Sequence, residues 1–202
     1  MAVVFQKESE ARVRRPGRPA AASREDVLAA ALRRYLAGRK VDVQAVAAEL
    51  GLGRTTVYRW FGSREALIGE VLVRAGDPLV DEARAGARGR GGLALLDTFD
   101  RLNRSLVAAP ALRRFLEQER ELALRILTSS GGIVQPHFVR RIAALIEDEA
   151  RTGAYEPPVD PPTLAYAIVR LAEAFLYNDV VVGIRGDVER LRRVEAVLLG
   201  VA

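Results

Sequence analysis

The sequence predicts an all-α fold, and three observations lead there. Apolar residues recur at three- and four-residue spacing through most of the chain after residue 22, while the two-residue alternation of strands is weak. Ala, Leu, Arg and Glu dominate, and all favour helix. Glycine and proline fall mainly between the periodic stretches, where they punctuate helices. With 202 residues, half of them hydrophobic, the chain has material for a real core.

Residues 1–22 are expected to form a basic, flexible arm. ARVRRPGRPAAA mixes charge with two prolines and a glycine and should not be helical. Pro16-Gly17-Arg18-Pro19 is similar to the Arg-Gly-Arg-Pro core of AT-hook peptides, with Pro16 replacing the first Arg. Arg14, Arg15 and Arg18 could enter a minor groove, or the arm could be a solubilising tail. The apolar run Met1 to Phe5 is too short for a signal peptide.

Ser23 opens the first helix, with Asp26 completing a capping box; Val27, Ala30, Ala31 and Leu36 form its buried stripe, Tyr35 lies at an edge and Gly38 ends it. Asp42 caps a second helix to Leu50, with Val43, Val46, Ala47 and Leu50 inward. Gly51-Leu52-Gly53 turns the chain, and a third helix from about Arg54 to Trp60 points Val57 and Phe61 inward. Two short helices about a glycine turn make a helix-turn-helix. Arg54, Thr55, Tyr58 and Arg59 face outward, where guanidinium groups can read guanine edges and hydroxyls can reach phosphates or bases. A plain helical hairpin with a solvated face is the alternative.

A fourth helix should run from Ser63 to about Ala75, burying Leu67, Ile68, Val71 and Leu72. Arg64 sits in its first turn, where the macrodipole favours an anion, so a phosphate is expected there. Gly76-Asp77-Pro78 marks a boundary. GARGRGG, residues 86–92, has no Gly-Lys-Ser/Thr and no preceding strand, so it reads as a flexible connection rather than a phosphate loop. Further helices are expected over 93–107, with Leu95, Leu96, Phe99, Leu102, Leu106 and Val107 inward, over 110–127, and from near Pro136 to Gly153. The prolines of YEPPVDPP make a rigid linker before helices at 164–184 and 188–201.

Charge is divided unevenly. Residues 1–76 carry 14 Lys/Arg against 8 Asp/Glu, a net +6, while residues 77–202 carry 17 against 18, a net −1. The positive excess therefore accompanies the helix-turn-helix, as contact with phosphates requires.

The stretch G-L-G-R-T-T-V-Y-R-W-F-G-S-R-E-A-L-I resembles the signature of the tetracycline-repressor (TetR) family of bacterial transcriptional regulators. Tyr58, Trp60-Phe61 and Ser63-Arg64-Glu65-Ala66-Leu67 fill the signature positions, with Arg64 where Lys is usual and Trp60 where His or Tyr is commoner. The region from Leu116 to Ile184 also resembles the C-terminal domain of a TetR subgroup typified by QsdR. The resemblance implies a three-helix DNA-binding domain over 23–76 and a larger helical ligand-binding and dimerisation domain over 77–202. It implies double-stranded operator DNA as partner, a homodimer through the last two helices, a small-molecule effector and a cytoplasmic, non-enzymatic repressor. By carry-over, Gln44, Arg54, Thr55 and Arg59 are the candidates for base-edge contacts, while Thr56, Tyr58 and Arg64 would hold phosphates and fix register; an ordinary surface glutamine is the alternative for Gln44.

Two apolar stripes on the penultimate helix, Leu164/Ile168/Leu171/Phe175 and Ala165/Ala172/Leu176, agree with packing inward and against a second subunit. So does the Leu191/Val194/Leu198/Val201 repeat of the last helix, with a helix fully buried in a monomer as the alternative. Tyr166, Arg170, Glu173, Tyr177 and Asn178 interrupt the first of these helices and are the expected ligand contacts, with surface exposure or dimer contacts the competing explanations.

Enzymatic chemistry finds little support. Without cysteine there is no disulfide or thiolate site, and the single histidine, His137, leaves no His-dependent metal cluster or Ser-His-Asp triad. Glu117, Glu119 and Glu121 lie among arginines and read as an ion-paired, solvated face. No cofactor is expected. No apolar run reaches the roughly 18 residues of a membrane span, so no membrane partner is expected. The remaining rivals are an architectural DNA-binding protein without an effector, and an enzyme whose helix-turn-helix is only a structural hairpin.

Overall fold

Helix α1, Arg24–Leu36, starts at a complete capping box: the Ser23 hydroxyl accepts from the Asp26 amide, and the Asp26 carboxylate accepts from the Ser23 amide at 2.7 Å. The computed structural model describes residues 22–178 and 187–201; Arg14, Arg15, Arg18 and Ile184 lie outside them. Following α1 come α2 (Val43–Glu49), α3 (Arg54–Phe61), α4 (Arg64–Gly86), α5 (Gly91–Ala108), α6 (Pro110–Gln118), α7 (Arg120–Thr128), α8 (Val134–Arg151), α9 (Pro161–Glu173) and α10 (Val188–Leu198). A π-helical turn, Ala174–Asn178, prolongs α9. The described residues contain no strand.

The turn between α2 and α3 has a definite cause. Gly51 adopts φ +66°, its amide bonds the Ala48 carbonyl, and the Leu52 amide reaches back to Ala47 at 2.8 Å. This pair of bonds satisfies the last carbonyls of α2 and returns Leu52 to the core.

One hydrophobic cluster joins α1 through α4 to α6, α7 and the start of α8, from Val27 and Phe61 to Phe115 and Val134. A second lies among α5, α8, α9 and α10, around Leu95, Phe99, Ile146 and Leu164. A third is formed by Phe175, Leu176, Val188 and Leu191.

Several expected boundaries move. Helix α4 does not stop at Gly76-Asp77-Pro78 but runs through Pro78 to Gly86. Proline removes one backbone donor there, yet Gly76 nestles against Phe138 and Val80 is buried, so tertiary packing outweighs the local breaker. The expected single helix over 110–127 is two, α6 and α7, broken at Glu119 with φ −139° and ψ 49°. Pro161 and Pro162 belong to the first turn of α9, where missing amides cost nothing, so the helix begins earlier than expected. On α1, Tyr35 is buried and Leu36 is 60% exposed, the reverse of the expected assignment; Val107 is also exposed.

The glycine-rich 86–92 segment is not loose. The Gly91 amide donates to Glu149 Oε2 at 2.8 Å, Arg84 pairs with the same carboxylate, and the Arg88 amide donates to Asp97. Gly91 has φ +58°, and a Cβ there would fall 2.0 Å from the Ala154 carbonyl oxygen. His137, near the start of α8, bonds Asp77 of α4 at 2.7 Å, so it ties two helices together.

The two stripes of α9 also acquire an intramolecular explanation. Leu164, Ala165, Ile168, Phe175 and Leu176 are all buried within the single chain. The exposed apolar side chains of the last helices are Tyr166 and Val197. The stripes therefore do not by themselves call for a second subunit.

Gly91→Ala should destabilise the fold by about 2–4 kcal/mol, combining backbone strain with a displaced buried contact. Gly153, at φ +73° with open space around it, isolates the conformational part, so Gly153→Ala should cost only about 1–2 kcal/mol. Urea unfolding with unchanged slope would measure both.

Candidate nucleic-acid interface and ligand chamber

Recognition chemistry concentrates on α3. Val57 and Phe61 bury its inner face, which leaves Arg54, Thr55, Tyr58 and Arg59 exposed on the outer face, with Thr56 half-buried. Gln44, on the first helix of the motif, is exposed as well. Among the described residues Arg54 and Arg59 make no ion pair, so their donors are available to an external acceptor. Gly53 brings no capping side chain to α3, leaving its first-turn amides without a side-chain acceptor.

The other helices hold this face in place. The Arg24 guanidinium stacks 4.3 Å over the Phe61 ring and pairs with Glu70, joining α1, α3 and α4. Arg33 pairs with Glu49 at 2.7 Å, tying α1 to α2.

Arg64 has a different partner from the expected phosphate. Its guanidinium makes a bidentate pair with Glu119, both contacts 2.8 Å, and its Nε donates to the Val41 carbonyl at 2.7 Å. Glu119 is therefore no solvated surface carboxylate: with 13% of its side chain exposed, it supplies the negative charge that the first turn of α4 favours. The pair spans three elements, from the α6–α7 break to α4 and the strand of chain leading into α2.

A chamber of about 300 Å³ lies among α1, α4, α5, α8 and α9. Its wall includes Tyr35 of α1, Leu72 and Leu79 of α4, Phe99 and Leu106 of α5, Phe138 of α8 and Ile168 of α9. Of the expected ligand residues, Glu173 and Tyr177 line it. Tyr166 does not: it is half exposed on the opposite face of α9. Arg170 also stays outside the wall and reaches Glu173 Oε2 at 2.7 Å and the Thr128 carbonyl at 3.1 Å. The Asn178 side chain lies outside what is described.

Three polar residues of the wall escaped the sequence analysis: Asn103, Gln135 and Glu195. Gln135 Nε2 donates to both Glu173 oxygens at 3.2 and 3.3 Å, and Asn103 Nδ2 donates to both Glu195 oxygens at 3.0 and 3.3 Å. In sequence each looks like a surface residue of an amphipathic helix, and only its tertiary neighbours reveal otherwise. Burial pushes the Glu195 carboxyl up to about 7, a rise that the Asn103 hydrogen bond opposes and the Asp100 charge reinforces. Burial raises Glu173 too, against the hydrogen bond from Gln135 and the charge of Arg170.

Residues 90–200, more than half of the sequence, match the family described as tetracyclin repressor-like, C-terminal domain. The chain belongs to the TetR family. Among solved structures, it is similar to the transcriptional repressor QsdR of R. erythropolis, a TetR-family protein. The two share 29% identity over 89% of this chain and 95% of that one, with a TM-score of 0.82. The fatty acid degradation regulator FadR of Bacillus halodurans is more distant, at 14% identity over 85% and 93% of the two chains with a TM-score of 0.48. Among curated proteins, none matches.

Family membership, the helix-turn-helix and the exposed α3 face make this TetR-family chain a DNA-binding transcriptional regulator. Among the described residues no helix is long and apolar enough to cross a membrane, and no His/Cys/Asp/Glu group could hold a metal ion.

If Arg54 or Arg59 reads a guanine bidentately, its change to Ala should cost about 1–3 kcal/mol at one base position per half-site. Tyr58→Phe should instead weaken all sequences alike. Binding-site selection with the three variants separates these outcomes, and identical profiles would contradict the roles.

Glu195 generates a second expectation. The folded carboxyl keeps its proton up to about 7 while an ordinary one releases it near 4.5. The native state thus binds the extra proton between those values, so stability falls as pH rises through the window and levels off above it. Glu195→Gln should flatten that slope and raise stability relative to wild type at pH above the window. Urea unfolding across the range checks this, and parallel wild-type and variant curves would contradict it.

Proposed function

We propose that this regulator is a homodimeric cytoplasmic repressor, released from its operator by an apolar small molecule that binds the chamber. One observation carries the reading: the chamber wall is built partly from α1 and α4, the two helices that Arg24 and Phe61 link to the recognition helix. A ligand that prefers a different placement of those helices must thereby shift α3. The repressor described for QsdR supports the same direction of control.

In this reading Gln44, Arg54, Thr55 and Arg59 contact base edges, Thr56 and Tyr58 hold phosphates, and Arg15 and Arg18 of the arm reach the adjacent minor groove. Arg64 acts as a strut to Glu119 instead of a phosphate ligand. Glu173 and Tyr177 contact the effector. The reading and ligand-binding roles divide near residue 76, within the continuous α4. Dimerisation through the exposed faces of α9 and α10, where Tyr166 and Val197 lie, sets two recognition helices one turn of duplex apart, about 34–36 Å.

A cavity ligand found by thermal-shift screening should weaken the operator complex about 5- to 150-fold, and operator DNA should weaken ligand binding by the same factor. Calorimetry of the ligand with and without operator measures both arms. A chamber ligand with equal affinities in the two titrations would contradict the proposal.

A further inference from the structure

The charged lining of the chamber has one sign. Among the described residues its wall contains two carboxyl side chains, Glu173 and Glu195, and no Lys, Arg or His. The two acids are not equivalent. Glu173 already has a cation, Arg170 at 2.7 Å, together with Gln135. Glu195 is fully buried and has the Asn103 amide as its hydrogen-bond donor. Arg192, on its own helix, attracts it only weakly, and Asp100 of α5 repels it. One amide shared between two oxygens leaves most of a carboxylate's acceptor capacity unused.

Burial makes the bare carboxylate costly, so the group holds its proton up to about 7, and a ligand cation would stabilise the ionised form in its place. An anionic ligand would gain no cation from the wall and would oppose ionisation of either acid in a setting of low dielectric. The rest of the wall is hydrocarbon and aromatic, with Phe99, Leu102, Leu106 and Phe138 lying along it. We infer that the chamber takes an apolar molecule ending in a protonated amine, whose ammonium bonds Glu195 beside Asn103 while its hydrocarbon part lies against these four side chains. The inference rests on the chamber being the effector site and names the chemical class of that effector.

The test uses three probes of one length, octylamine, octanol and octanoate, titrated calorimetrically into the full DNA-free protein at neutral pH. Octylamine should bind most tightly and octanoate least. Glu195→Gln keeps the side-chain shape and a contact to Asn103, so it should leave octanol affinity unchanged while weakening octylamine roughly 10- to 100-fold, the range of a charge-assisted hydrogen bond. Unchanged octanol binding verifies that the chamber of the variant is intact. Octanoate binding as tightly as octylamine, octylamine indifferent to Glu195→Gln but sensitive to Glu173→Gln, or no binding of any probe would each overturn the inference. Octylamine that binds through Glu195 yet leaves operator affinity unchanged would instead preserve the ligand class and remove the regulatory reading.

Discussion

Everything in this molecule depends on a core that the reading head does not own alone. Leu112, Phe115 and Leu116 of α6, with Ile126 and Leu127 of α7, belong to the same cluster as Val27, Val46, Val57 and Phe61 of the helix-turn-helix. Tyr35 of α1 meets Phe115 edge-on at 6.2 Å, and the Arg64–Glu119 pair closes the contact at its rim. A three-helix unit of about 40 ordered residues is marginal by itself, because too little of its surface can be buried. Borrowing α6 and α7 supplies the missing apolar cover. The same borrowing couples the recognition helix to whatever displaces those helices, without a dedicated pathway.

The chamber breaks the rule that the rest of the core follows. Two carboxyl groups and two amides sit where hydrocarbon would stabilise the fold more. Asn103–Glu195 and Gln135–Glu173 satisfy each other only in part, and the Asp100 Oδ1 atom nearby is buried with no hydrogen-bond partner. Departures of this kind are found where a site must recognise something, and the two carboxyl groups and two amides line one cavity.

How much of this could be read from the sequence follows from the range of each interaction. The capping box at Ser23, the glycine turn at Gly51 and the burial of Val57 and Phe61 are local, and all were legible. The outer face of α3 followed from helical spacing alone. Pro78 misled because a breaker is a local signal, whereas packing against Phe138 and the burial of Val80 are tertiary. Arg64 misled likewise: the helix dipole correctly called for an anion, but the sequence could not say that Glu119, 55 positions away, would supply it. The chamber wall was least legible. Glu173 and Tyr177 were found because they interrupt an apolar helix, while Glu195 and Asn103 look like ordinary exposed positions until α10 is laid beside α5.

Native-state hydrogen exchange resolved by residue tests the shared core most directly, since it needs neither operator nor effector. Amides of α2 and α3 should open together with those of α6 and α7, at one common free energy, and Glu119→Gln should lower protection in both groups equally. Protection of α2 and α3 that is lower than that of α6 and α7, and indifferent to Glu119→Gln, would show an independent reading head and contradict the account.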